Sequence, residues 1–186
     1  MKSILTVLLV SCFSLLIVAQ EGIPEDYLSA DFHKSRREAL RKSMPENAVA
    51  VFFANPVRNR ANDVDYIYHQ DPDFYYLTGY KEPHAVLVVF SENQTNSKGE
   101  TFNELIYVQE KNPQAEQWTG VRLGTEGAKE KLGFEIALNG KEFINSNIDF
   151  ASFEKVLFNN FNNDYRDSSR NNADLYSLIS SFKNQI

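Results

Sequence analysis

The side chains that most often carry chemistry are few in this sequence and spaced apart. Its three histidines, His33, His69 and His84, form no i,i+4 pair and no HExxH pattern, so the usual helical zinc arrangement is absent. The sequence contains no GxxxxGK[ST], GxGxxG or GxSxG loop. Two carboxylate pairs, Asp63/Asp65 and Asp71/Asp73, have one-residue spacing. On a strand this spacing would place both members on one face, where they could share a hard cation. The plainer reading is an acidic, turn-forming surface loop around Pro72, and it is the one adopted. From residue types alone, no active site emerges.

Two segments stand out by composition. Tyr66 to Tyr80 (YIYHQDPDFYYLTGY) holds six aromatic residues in 15. Exposed, they would stack on sugars, peptides or a partner protein. Buried, they would be core plus turn, with a bend at Pro72, a strand over Phe74–Leu77 and a further turn at Gly79. Packing in a core or interface is the favoured reading for Tyr75, Tyr76 and Tyr80. The second segment, Glu116 to Gly124 (EQWTGVRLG), carries the chain's only tryptophan, Trp118. A lone tryptophan belongs most often to a core, but one set among charged and glycine residues can project as an anchor. Both readings stay open for Trp118.

The elements that position these segments follow from periodicity. Residues 29–44 read as a helix with Ser29 as N-cap, Asp31 in the first turn, and Phe32, Ala39, Leu40 and Met44 at helical spacing. His33 falls on this helix and is expected to face solvent. Ala48 to Ala54 (AVAVFFA), Ala85 to Phe90 (AVLVVF) and Glu104 to Val108 (ELIYV) are short apolar runs, the mark of strands buried on both faces. Lys155 to Phe158 reads as a fourth strand. Helices are expected over Glu126–Leu132, closed by Gly133, and over Ala173–Phe182, with short turns within Lys141–Phe153. The Asn-rich stretch Asn159 to Asn172 reads as a surface loop. Strands alternating with helices give an α/β domain with a largely covered sheet.

The 186 residues are 42% hydrophobic and 24% charged, with a formal net charge of −6 and a pI near 5.1, the profile of an ordinary globular chain. That balance supplies no basic patch for nucleic acid. Lys2 followed by the uncharged run Ile4–Ala19 reads as a secretory signal peptide over residues 1–19, leading to a secreted or periplasmic protein. An uncleaved anchor, or lipidation at Cys12 in Leu9-Val10-Ser11-Cys12, are the alternatives. If the leader is removed, Cys12 leaves with it, and with it any thiol nucleophile or disulfide.

The residues Asp65 to Tyr80, then Glu82-Pro83-His84-Ala85-Val86-Leu87, then Glu116 to Gly124, taken in this order, resemble the N-terminal domain of the aminopeptidase P (Xaa-Pro aminopeptidase) family. The Arg36-Arg37 pair and the strand after Pro45 also fall where that family has them. The resemblance spans about residues 29–182. His69 departs from it, standing where many members carry arginine. The resemblance implies a mixed β-sheet flanked by helices that is itself non-catalytic. It also implies a following metallopeptidase domain of pita-bread fold, whose two divalent ions, usually manganese, drive cleavage before proline. No catalytic or metal-ligating residue is carried over, because that domain is expected only beyond Ile186, and the chain alone is expected to be inactive.

What the resemblance implies for this domain is a homo-oligomer contact and a wall at the mouth of the active site, with proline-containing peptides as substrates. Trp118 is then the residue that reaches toward a catalytic pocket. Two readings from other classes compete with this one. One is a free-standing scaffold or peptide-binding domain, and the other is a carbohydrate-binding module using the Tyr66–Tyr80 aromatics.

Overall fold

The computed structural model describes residues 27–96, 98–159 and 173–186. The leader over 1–19, with Cys12, lies outside the described residues, as does the Asn-rich stretch beyond Asn159. Helix α1 (Ala30–Ser43) starts where expected, with the Ser29 hydroxyl accepting from Phe32 N. It leads into β1 (Ala48–Phe53), a small hairpin of β2 (Asn59–Ala61) and β3 (Val64–Asp65), and helix α2 (Pro72–Thr78). Next come β4 (Val86–Thr95), β5 (Thr101–Val108), α3 (Pro113–Thr119), α4 (Gly124–Leu132), β6 (Ala137–Asn139) and α5 (Gly140–Ile144). A 3-10 turn (Phe150–Ser152), β7 (Lys155–Phe158) and α6 (Leu175–Lys183) complete the order.

Five strands form a mixed sheet in the order β6-β5-β4-β1-β7. β4 runs antiparallel to both β1 and β5, whereas β7 joins β1 and β6 joins β5 in parallel. Because successive strand residues point to opposite faces, the AVAV repeat of β1 feeds two cores. Ala50, with Leu87, Val89 and Ile106, faces Leu77, Ala128 and Leu132 from α2 and α4. Val49 and Val51, with Val86, Val88 and Tyr107, face Phe143, Phe150, Leu178 and Phe182. Coverage on both faces explains why β1 and the first half of β4 are unbroken apolar runs.

Two expectations are corrected. Phe74–Leu77 is helical, not a strand: Asp71 Oδ1 accepts from Phe74 N at 2.9 Å, Pro72 opens the first turn, and Gly79 closes the helix at φ 70°. A complete set of start and stop residues outweighs the strand preference of Phe-Tyr-Tyr. His33 is buried, 1% exposed, because α2 packs across α1 and covers it. Its Nδ1 lies 2.8 Å from the Tyr76 carbonyl oxygen, and its ring occupies the space that a side chain at Gly79 would need.

Arg37, one residue along from Arg36, is also fully buried. Its guanidinium donates two bonds of 2.8 Å to the Glu104 carboxylate on β5 and a third, of 2.8 Å, to the Leu77 carbonyl oxygen. It lies 4.0 Å from the centre of the Phe134 ring. One side chain therefore ties α1, α2 and the sheet together.

Candidate functional site

Strand direction gathers the long excursions at one end of the sheet. Phe53 pairs with Val86, Val86 with Tyr107, Val108 with Asn139, and Val51 with Phe158. The ends of β1, β5, β6 and β7 therefore meet the start of β4. From this end emerge the β2–β3 hairpin, α2, and the segment carrying α3.

Helix α3 holds Trp118 in its last turn. Asn112 caps it, its Oδ1 accepting from Gln114 N and Ala115 N at 3.1 Å each, while Glu116 Oε1 accepts from Asn112 N at 2.8 Å. Pro113 fits the first turn, where its missing N–H costs nothing. Gly120 ends the helix at φ 85°, a conformation that disfavours any side chain. No residue of α3 is buried. Trp118 is 88% exposed and Val121 82%. The tryptophan thus projects, and the core reading of Trp118 is set aside.

The base of this projection is fixed by polar contacts. Leu123 N donates to Glu82 Oε1 at 2.6 Å, Tyr80 Oη donates to Glu82 Oε2 at 2.9 Å, and Arg122 Nη1 donates to the Glu110 carbonyl oxygen at 3.2 Å. Burial holds the Glu82 carboxyl above the usual carboxylate range, against the lowering effect of the Leu123 amide and the Tyr80 hydroxyl. Burial together with the Glu82 charge pushes the Tyr80 hydroxyl well above its ordinary value.

A second projection stands on the same end. The β2–β3 hairpin exposes Val64, and the segment that follows it exposes Tyr66 and Ile67, the last 87% exposed. Beside them lies an open groove of about 690 Å³, walled by Arg58, Arg60, Tyr66, Tyr68 and His69. His69 is an exposed part of that wall. Gln70 joins this projection to the rest: its Oε1 accepts from Asn55 N and Asp71 N at 2.9 Å each, and its Nε2 donates to the carbonyl oxygens of Tyr80 and Glu82. The Tyr68 hydroxyl lies 2.9 Å from the same Oε1, and its pKa is raised above the ordinary value chiefly by burial.

The three tyrosines are not brought together. Tyr80 is buried against Phe74 in the core, Tyr75 packs edge-on to His33, and Tyr76, 45% exposed, packs edge-on to Phe32. One member of each carboxylate pair makes a structural contact: Asp71 caps α2, and Asp65 accepts from Asn59 within the hairpin. His84 accepts from Leu175 N through Nδ1 at 3.1 Å, far from the other histidines in role. Among the described residues, no group of three or more His, Cys, Asp or Glu is placed to hold a metal ion. Gln70 and Glu82 fall within the segments that carry the resemblance, but their contacts are not legible in the sequence. Their partners lie up to 41 residues away, and only the fold reveals them.

A mixed sheet covered on both faces, with an exposed tryptophan and a short polar hairpin leaving it at one end, defines an α/β domain. The model of the aminopeptidase P N-terminal domain matches residues 33–154, and the chain belongs to that family. It is 39% identical over 111 residues to the Xaa-Pro aminopeptidase of Escherichia coli strain K12, covering 60% of this chain and 24% of that protein. It is 35% identical over 118 residues to intermediate cleaving peptidase 55 of Schizosaccharomyces pombe, covering 63% and 24%. Among solved structures, E. coli aminopeptidase P in complex with substrate aligns with a TM-score of 0.56 at 35% identity, over 64% of this chain and 26% of that one. The same enzyme with the inhibitor Pro-Leu aligns with a TM-score of 0.64 at 28% identity, over 84% and 33%. The chain spans about a quarter of the length of the relatives it matches.

Proposed function

We propose that this domain is the non-catalytic N-terminal unit of an exported Xaa-Pro aminopeptidase, walling the mouth of a catalytic pocket and taking part in oligomer contacts. The hydrolytic chemistry belongs, in this reading, to a second domain holding two divalent ions, manganese by the family resemblance. Within the domain described here, the residues bind, orient and exclude. The indole of Trp118 offers a broad apolar face to the end of a peptide chain, and the exposed Val64–Ile67 segment narrows the approach so that only short or unstructured ends enter.

The observation that carries the reading is the exposure of Trp118 on an anchored loop. Burying a tryptophan removes roughly 150–250 Å² from water, so leaving one exposed forgoes a large stabilisation unless a partner surface covers it. The test uses an enzyme that contains both domains. Trp118→Ala is expected to lower kcat/KM for an Xaa-Pro peptide by about tenfold or more, the scale of an anchor residue. Unchanged turnover would remove Trp118 from the pocket. Export is checked by N-terminal sequencing of the secreted protein, where a start near Gln20 is expected.

A further inference from the structure

We propose that Glu82 is a positioning residue for Trp118: by receiving the Leu123 N–H and the Tyr80 O–H at once, its carboxylate fixes the base of the loop that presents the indole. Its geometry stands apart from catalysis, but its consequence for turnover rests on the reading of Trp118 given above.

None of the residues of α3 is buried, so no apolar seam sets its orientation. Its direction is left to the polar contacts at its two ends. At the N-terminal end the anchors are local, made by Asn112 and Glu116 within the helix itself. They shape the helix without tying it to the sheet. At the C-terminal end, Arg122 reaches the Glu110 carbonyl oxygen, which lies on the same excursion. The 2.6 Å bond from Leu123 N to Glu82 crosses to a different segment, the turn between α2 and β4.

That turn is itself rigidly seated. Tyr80 is 1% exposed, and its hydroxyl holds the second oxygen of the Glu82 carboxylate. Gln70 Nε2 donates to the carbonyl oxygens of both Tyr80 and Glu82, at 3.2 and 2.9 Å. The main chain at Glu82 is thus held on one side, its carboxylate is oriented by a core tyrosine, and the remaining oxygen faces the amide that begins α4. A charged acceptor in a partly dry site makes a stronger bond than a neutral one. The same Gln70 holds Asn55 at the root of the hairpin. Glu82 and Gln70 therefore set both projections against one frame.

Because Trp118 is the only tryptophan, its fluorescence reports this loop alone. The experiment compares the full 186-residue chain with Glu82→Ala and Glu82→Gln, reading indole anisotropy, acrylamide quenching and hydrogen exchange at the Leu123 amide, with thermal melting as the folding control. In Glu82→Ala, anisotropy is expected to fall, quenching to rise, and Leu123 exchange to quicken about tenfold or more. Glu82→Gln, which keeps an acceptor for Leu123 N, is expected to restore most of the anisotropy. A folded Glu82→Ala with unchanged anisotropy and quenching overturns the proposal. Should that variant fail to fold, the wild-type Leu123 amide decides: slow exchange supports the clamp, and exchange at the rate of an open loop overturns it. None of these readouts involves turnover, so a failure here is distinct from a failure of the pocket reading.

Discussion

Arg37 and Glu104 meet through two parallel hydrogen bonds of 2.8 Å, with the guanidinium fully buried and the carboxylate side chain only 12% exposed. This fork joins the first helix to β5 of the sheet across 67 residues of sequence. Removing one partner leaves the other charge buried and unpaired. Glu104→Ala is therefore expected to cost about 3–5 kcal/mol in urea denaturation, while replacing both by apolar residues of matching volume is expected to cost much less. Equal losses in the single and double variants would show that the pair is not the source.

His33 makes stability depend on pH. Burial chiefly, and the nearby Arg37 charge secondarily, hold its pKa below the ordinary value of 6.5, although the bond to the Tyr76 carbonyl oxygen works the other way. The unfolded chain therefore takes up a proton that the folded chain refuses. Stability is fully present above about pH 6.5 and declines as pH falls from there through the depressed folded value. The raised Glu82 carboxyl acts with the opposite sign, favouring the fold as it protonates. Comparing urea midpoints from pH 7.5 to pH 5 for wild type and His33→Gln separates the two. The variant is expected to lose the destabilising slope. A parallel pair of curves would contradict this.

Gly79 carries two demands at one position: φ is 70°, and a Cβ would lie 2.8 Å from the His33 ring. Gly79→Ala is expected to cost about 1–3 kcal/mol, seen as a lower melting temperature. A variant as stable as wild type would mean that the ring moves aside freely.

Glu82 links the excursion that carries Trp118 to the core tyrosine Tyr80, and truncating each aromatic residue separates structure from function. Trp118→Ala in this chain is expected to change stability by no more than about 0.5 kcal/mol, because the ring is almost wholly exposed. Tyr80→Ala is expected to cost about 3–5 kcal/mol through the cavity it leaves and the Glu82 bond it removes. Chemical denaturation of both variants, side by side, checks the contrast.

Much of the scaffold could be read from residue pattern. β1 and the first half of β4 are legible because a strand segment covered on both faces must be apolar at every position. Helix α1 was legible because Ser29 and Asp31 mark its start and Pro45 its end. The α2 helix was misread although Asp71, Pro72 and Gly79 spell out its limits; the aromatic run between them pulled the reading toward a strand. The burial of His33 rests on Gly79 and Tyr76, contacts more than 40 residues away that no local pattern encodes. The same holds for Glu82, whose value lies wholly in reaching Leu123. The sequence around Trp118 is compatible with both projection and core packing. Its glycine and charged neighbours allowed either, and only the absence of buried positions along α3 decides.

In the proposed function the chemistry lies outside this domain, and a hydrolysis assay tests that most directly. The pure 186-residue chain, supplied with manganese and an Xaa-Pro peptide, is expected to release no N-terminal residue above the rate of a no-protein control. Sustained, metal-dependent cleavage before proline by that chain alone would show that the domain is itself catalytic.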